Sequence, residues 1–189
     1  CIHAAVCVST LPAVFDTQAR PWIQPANGAA GEIVQVIEHC PSGALQYRRK
    51  DGGQAEAAPA NNTLVVQKDG PIYVHGDLAL GDERETRLAL CRCGASANKP
   101  FCDNSHRKIA FSAPGTVETS CEDDAATGGP LAINPSEKGP VLLNGNFEIV
   151  GAQDGSRYCG NRGALCRCGH SENKPFCDGT HKRIGFEAA

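Results

Sequence analysis

From residue 63 to residue 80 the chain reads TLVVQKDGPIYVHGDLAL, apolar and polar positions alternating on both sides of a central Lys-Asp-Gly-Pro break. Alternation with period two is the pattern of a strand with one buried face, and the break has the residues of a tight turn. The same pattern returns over residues 131–150, LAINPSEKGPVLLNGNFEIV. Two β-hairpins are therefore expected, at about 63–80 and 131–150, with a cysteine-bearing loop behind each. Nearer the start, AAGEIVQVIEHC places Ile33, Val34, Val36 and Ile37 at helical spacing. That predicts a helix of about ten residues which Pro41, directly after Cys40, brings to an end. Two polar, small-residue stretches, RKDGGQAEAAPANN before residue 63 and SAPGTVETSCEDDAATGGP before residue 131, read as connectors.

The hairpins belong to an internal repeat. ALCRCGASANKPFCDNSHRKIAF (89–111) and ALCRCGHSENKPFCDGTHKRIGF (164–186) agree at 16 of 23 positions with a constant offset of 75. Upstream, GPIYVHGDLAL (70–80) matches GPVLLNGNFEI (139–149) at an offset of 69, so the second copy carries six extra residues within VGAQDGSRYCGNRG. Residues 1–48 share nothing with either copy and form a separate small domain.

Composition sharpens this picture. Of 189 residues only 10 are aromatic, while Gly and Pro together supply 33. Units of about 50 residues with so few large side chains bury little core and need metals or disulfides to hold them. Net charge is −3 and no Lys/Arg run is longer than Arg48–Arg49–Lys50, so nothing points to a nucleic-acid footprint. No apolar stretch reaches the ~18 residues that span a bilayer. The chain begins at Cys1 and contains no Met, so its true N-terminus and any targeting segment are expected to lie upstream. A mature lipoprotein acylated on Cys1 is the rival reading of that start.

Eleven cysteines then need a role. Their number is odd, their spacing tight, and histidines recur at fixed offsets, which points to metal in a reducing compartment. Each repeat offers Cys-x-Cys-x8-Cys-x3-His. On an extended segment Cys91 and Cys93 project to one side, suiting two ligands on one iron. Cys102 and His106, four apart, would stack on one helical turn, suiting a second iron, and Asp103 could cap that turn. Cys166, Cys168, Cys177 and His181, with Asp178, repeat the arrangement. Three Cys and one His is also a zinc set, but zinc sites favour Cys-x2-4-Cys, and both first pairs here are Cys-x-Cys. Arg92, Arg167, Lys99 and Lys174 occupy matched positions, either offsetting cluster charge or solvated. Cys121 and Cys159 have no counterparts and read as surface or structural thiols rather than ligands.

With Ser96 and Ser171 at the hydroxyl position, both copies resemble the CDGSH iron–sulfur domain over about residues 63–187. CDGTH fits its pattern fully, whereas the first copy reads CDNSH with Asn104 in place of Gly, a residue that tolerates left-handed backbone. The resemblance implies one [2Fe–2S] cluster per motif, held by Cys91, Cys93, Cys102 and His106 and by Cys166, Cys168, Cys177 and His181. Single-motif, mitoNEET-like members pair two chains, so two motifs in one chain imply that dimer made covalent, a monomer with an internal pseudo-twofold. Two ferric irons, two sulfides and three thiolates sum to one negative charge, and imidazole in place of thiolate raises the reduction potential. The histidine binds only unprotonated, so affinity falls with pH.

Residues 1–48, with Cys1-x5-Cys7 and a remote Cys40–Pro41, resemble the divergent single-cluster ferredoxin-like domain often fused to CDGSH modules. Ala4 stands at the middle cysteine position, which implies a [3Fe–4S] cluster on Cys1, Cys7 and Cys40, with [4Fe–4S] as the alternative and His3 as a spacer. A strand normally precedes the first cysteine in that family.

Together these readings predict an α+β chain: a small ferredoxin-like domain (1–50) followed by two β-rich CDGSH modules (63–115 and 131–189) forming an intrachain pseudo-dimer. The expected function is one-electron transfer to a redox partner or within a larger redox complex in a bacterial cytoplasm. Cluster donation, or redox/pH sensing through the labile histidines, is the alternative. No nucleophile–base pair, phosphate loop or dinucleotide fingerprint is present, so no enzymatic activity is expected.

Overall fold

The computed structural model describes residues 1–122 and 124–188. The chain forms two compact units, Cys1–Ala57 and Ala58–Ala189.

In the first unit a short helix α1 (Val6–Thr10) is followed by a 3-10 turn (Pro25–Asn27) and helix α2 (Ala30–Glu38). α2 begins where the Glu32 carboxylate accepts the Ala29 amide at 3.2 Å, and it stops short of Cys40–Pro41 because proline cannot continue a helix. Val36 and Ile37 on its inner face pack against Val14 and Phe15, with Leu11, Ile23, Ile33 and Leu45 around them. Among the described residues of this unit no strand forms; Phe15 and Ile23 make one isolated antiparallel bridge. The strand content expected of a ferredoxin-like α+β domain is thus reduced to that bridge.

The second unit is β-rich: β1 (Thr63–Val66), β2 (Ile72–Leu80), β3 (Glu83–Leu90), α3 (Ser105–Lys108), β4 (Leu131–Pro135), β5 (Val141–Gly151), β6 (Arg157–Leu165) and α4 (Thr180–Arg183). β1–β2 and β4–β5 are the two expected hairpins. Each is extended by a further strand where the pattern predicts loop, β3 on β2 and β6 on β5. The repeats also exchange edges: β1 pairs in parallel with β5, and β4 in parallel with β2. The four strands β1, β2, β4 and β5 close on one another as a small barrel, with β3 and β6 outside. The six extra residues of the second copy lie in β5, in β6 and in the longer turn between them.

Alternation now has its physical meaning. Leu64, Val66, Ile72, Val74 and Leu78 of one repeat and Leu131, Ile133, Val141, Leu143, Phe147 and Ile149 of the other meet in one core. Neither repeat buries its apolar face alone; each covers the other. Asn62, 1 % exposed, stitches the bulges of β2 and β5 together. Its amide donates to the carbonyls of Gly129 (2.7 Å) and Asn146 (2.8 Å), and its oxygen accepts the Asp77 amide at 2.9 Å. Among the described residues no helix is long and apolar enough to cross a membrane.

Candidate metal centres

Each cysteine pair emerges directly from the end of an outer strand, Cys91 after β3 and Cys166 after β6. The strand end is fixed by a return of the chain. Cys91 donates its amide to Pro100 and Cys102 donates to Ala89, both at 2.8 Å, and Cys166 and Cys177 do the same with Pro175 and Ala164. The Cys91 and Cys93 sulfurs lie 3.8 Å apart, those of Cys166 and Cys168 3.7 Å. Nδ1 of His106 is 3.5 Å from the Cys102 sulfur, and Nδ1 of His181 is 3.2 Å from that of Cys177. All four ligand pairs predicted in the repeats are thereby brought together, with Nδ1 of each histidine facing the thiols.

Cys102 and His106 meet by a different route from the single helical turn expected. α3 starts only at Ser105, and Asn104 before it sits in left-handed backbone with φ 69°. Gly179 occupies the same position before α4 with φ 85°. Asparagine and glycine are the residues that adopt this conformation at least cost, which accounts for the CDNSH variant. Asp103, one residue before the N-cap position, accepts the amide of Ser105, the first residue of α3, and that of Ala97, both at 2.9 Å. Those bonds fasten the Cys-x-Cys loop to the histidine helix and, against burial, hold the carboxyl down at about 2. Asp178 joins Thr180 and Glu172 in the same way. Ser96 and Ser171, each 1 % exposed, hook their hydroxyls to the carbonyls of Phe101 and Phe176 at 2.6 Å.

Arg92 and Arg167 are buried rather than solvated, and sequence reasoning missed their role. Arg92 donates to the carbonyls of Gly70 (3.0 Å), Pro114 (2.8 Å), Gln67 (2.5 Å) and Ala113 (3.3 Å). Arg167 donates to Gly139 at 3.0 Å, to Glu137 at 3.0 Å and to Ser136. Each guanidinium ties a ligand loop to the hairpin turn of its own repeat. Burial lowers Arg92 to about 10, offset by Asp69, by Cys166 of the other repeat and by Cys93 of its own. Arg167 is lowered by burial and offset by Cys91. Lys99 and Lys174 each reach back to a carbonyl of their own loop, Ser96 and Ser171, at 2.5 Å.

The two ligand loops pack backbone to backbone. A Cβ on Gly94 would overlap the Cys168 carbonyl, and one on Gly169 would overlap that of Cys93. Matched Gly, Arg, Asp and Ser positions in the repeat were the available signal for this architecture; a charged or small residue kept in two copies has the same local task in both.

The thiols themselves fit a cation. Cys91 falls to about 6 because Cys93 donates to it, helped against burial by the amides of Ser96, Gly94 and Cys93; Cys93 is pushed up by the same shared proton. Burial raises Cys102, and the neighbouring Cys91 and Asp103 charges add to that. Burial likewise raises Cys168, with Cys166 and Cys177 contributing. Buried thiols this close do not all ionise alone, and a bound cation removes that penalty.

In the first unit Cys1, Cys7 and Cys40 line one cavity of about 410 Å³, together with the loop that joins the first two and with Trp22, Pro41 and Leu45. His3 lines it too, its amide 3.3 Å from the Cys1 sulfur. Cys40 is buried, which alone would raise its thiol; the Ser42 hydroxyl, 3.6 Å away, and the amides of Leu45, Ser42 and Ala44 outweigh burial and lower it. A thiolate held by amides at the edge of an apolar cavity suits an iron–sulfur cluster. Cys121 and Cys159 are joined in a disulfide with Cα atoms 4.7 Å apart.

The stretches that carry these cysteines and histidines are similar to known families. Residues 1–50 match the family model described as a divergent 4Fe-4S mono-cluster. Residues 69–107 and 138–182 match the iron-binding zinc finger of CDGSH type. Over 50 residues the chain is 42 % identical to "Uncharacterized protein YjdI" of Escherichia coli strain K12, covering 26 % of this chain and 66 % of that protein. The corresponding protein of Escherichia coli O157:H7 matches to the same extent. These matches support an iron–sulfur protein that joins a segment similar to the divergent mono-cluster family to two segments similar to the CDGSH-type iron-binding family.

Proposed function

We propose that the chain is an electron carrier with two [2Fe–2S] clusters, on Cys91, Cys93, Cys102 and His106 and on Cys166, Cys168, Cys177 and His181. A third cluster, [3Fe–4S] or alternatively [4Fe–4S], is held by Cys1, Cys7 and Cys40. Bound there, the clusters supply one-electron oxidation and reduction. The observation that carries the reading is the backbone contact of the two Cys-x-Cys loops at Gly94 and Gly169. Touching loops give two redox centres a short path through the protein, which cluster storage does not require. Buried Arg92 and Arg167 put fixed positive charge beside the thiols of both repeats, favouring the more negative, reduced form.

The exchanged pairings β1–β5 and β4–β2 support the intrachain pseudo-dimer of modules 63–115 and 131–189, acting as a monomer that also carries a ferredoxin-like domain at 1–50. In this reading the chain catalyses nothing by itself and serves a redox partner or larger redox complex in a reducing bacterial cytoplasm. Cluster donation is the second reading. It draws on the half-buried setting of Cys177 and His181, which leaves the second site approachable from its histidine side.

Anaerobically purified protein separates the two. Electron exchange with a reduced flavin donor, followed by stopped-flow absorbance, should outrun transfer of intact clusters to an apo-ferredoxin by orders of magnitude. Transfer faster than electron exchange would reverse the order of the two readings.

A further inference from the structure

Cys159 is the residue opposite Glu148 in the antiparallel register of β5 and β6. On the other side of β6 the connector between the repeats runs parallel to it, bridged at Ser120–Tyr158. There Ser120 donates to the Arg157 carbonyl at 2.9 Å and accepts the Cys159 amide at 3.0 Å. Glu148, Cys159 and Cys121 consequently stand in a row across three neighbouring segments of one sheet. Their donor atoms, two sulfurs and a carboxylate oxygen, all lie within 4.8 Å of one another, and all three residues are half-buried. A surface depression of about 590 Å³ opens over Cys121 and Cys159 and is lined also by Asn146 and Asn161. None of the three belongs to a ligand set of the repeats, and the first repeat has no such residues.

We propose that Cys121, Cys159 and Glu148 are a redox-gated site for one thiophilic divalent cation of the zinc class, closed by the disulfide and opened by its reduction. A dithiol reductant gives up two electrons and two protons and becomes a disulfide; the Cys121–Cys159 bond breaks and two thiols form. The cation displaces the two thiol protons to solvent and takes two thiolates and the carboxylate, with water as the fourth ligand. Tetrahedral zinc sets its sulfur ligands about 3.8 Å apart, which sheet neighbours reach by side-chain rotation alone. Arg157 competes for Glu148, but it engages Oε1 only and its own side chain is half exposed. The sheet supplies the geometry, and the oxidation state of one bond decides whether it is used.

The test uses the purified, cluster-loaded chain and zinc alone as probe. Oxidised protein and protein reduced with a phosphine and desalted anaerobically are incubated with zinc and passed through gel filtration. Zinc and iron are then counted in the same fractions. Reduced protein should retain about one zinc more than oxidised protein with its iron unchanged. Cys121→Ser should abolish that extra zinc, and Glu148→Gln should weaken it by about tenfold. Equal zinc in both redox states, equal zinc in Cys121→Ser, or zinc gained only as iron is lost would each overturn the proposal. The comparison of the two states of the wild-type chain decides even where a variant fails to fold.

Discussion

Gly94 of the first repeat touches the carbonyl of Cys168 in the second, and Gly169 touches that of Cys93. Both glycines also have left-handed backbone, φ 80° and 82°. Each ligand loop is therefore shaped by the backbone of the other, and the metal sites are built as a pair.

A substitution pair isolates that contact. Gly94→Ala meets left-handed strain of about 1–2 kcal/mol and an overlap with backbone worth about 1–3 kcal/mol more. Gly179 has φ 85° but open space where a Cβ would go, so Gly179→Ala meets only the strain, about 1–2 kcal/mol. Urea denaturation of the loaded protein should rank Gly94→Ala clearly below Gly179→Ala. Equal midpoints would mean that the loops do not constrain one another. Gly179→Asn, which copies Asn104, should be near neutral.

Arg92 gives a second prediction. It is a fully buried cation whose hydrogen bonds all go to backbone carbonyls. Arg92→Met keeps much of the volume but leaves those carbonyls unpaired, at a cost of about 3 kcal/mol or more. Since the charge faces Cys166 as well as Cys93, both clusters should become harder to reduce. Denaturation midpoints with potentiometric titration check this, and a variant with wild-type stability and potentials would dispose of the clamp.

How far the sequence was legible depended on what each segment shows to water. The hairpins at 63–80 and 131–150 were readable because one face of each is core, and α2 because its apolar stripe and Pro41 bound it. β3 was not: none of its first half, Glu83 to Thr86, is fully buried, so the polar run ERETR hid a strand. β6 was masked by its own Gly160, Asn161 and Gly163, residues that ordinarily signal turns. That Cys91 meets Cys93 and Cys102 meets His106, and likewise in the second repeat, was legible from spacing. The Arg92 and Arg167 clamps were not, because a charge in sequence reads as surface until its carbonyl partners are seen. The pairing of Cys121 with Cys159 needed the sheet, which alone brings a connector beside β6.

The first unit is tested by metal content. Two [2Fe–2S] clusters and one [3Fe–4S] cluster amount to about seven irons and eight sulfides per chain. Cys40→Ser should remove about three irons and leave the [2Fe–2S] absorbance of the repeats untouched. Iron near four in the unmodified chain would end the case for a cluster on Cys1, Cys7 and Cys40, and stoichiometric zinc in place of iron would end it for all three sites.

His106 sets the response to acid. Burial first, then the Arg107 and Arg92 charges, hold its imidazole below the usual 6.5, with Asp103 opposing. Below pH 6.5 the unfolded chain thus takes up this proton more readily than the folded one. The group's contribution to stability is full above about 6.5 and is lost as pH falls through the depressed folded value. The proposed ligation of iron by Nδ1 would work in the same direction, since only the neutral ring ligates. Cluster absorbance should therefore be stable above pH 6.5, with a decay rate that climbs as the solution is made more acid. His106→Cys removes the titrating ligand and adds a thiolate charge. In that variant the first site should lose its acid-dependent decay and fall in potential, while the second site keeps both properties. Decay series at stepped pH, run beside potentiometry, read the two sites together. Wild-type decay and an unchanged potential in His106→Cys would show that His106 does not hold the metal, and the Cys3His assignment of the first repeat would fall with it.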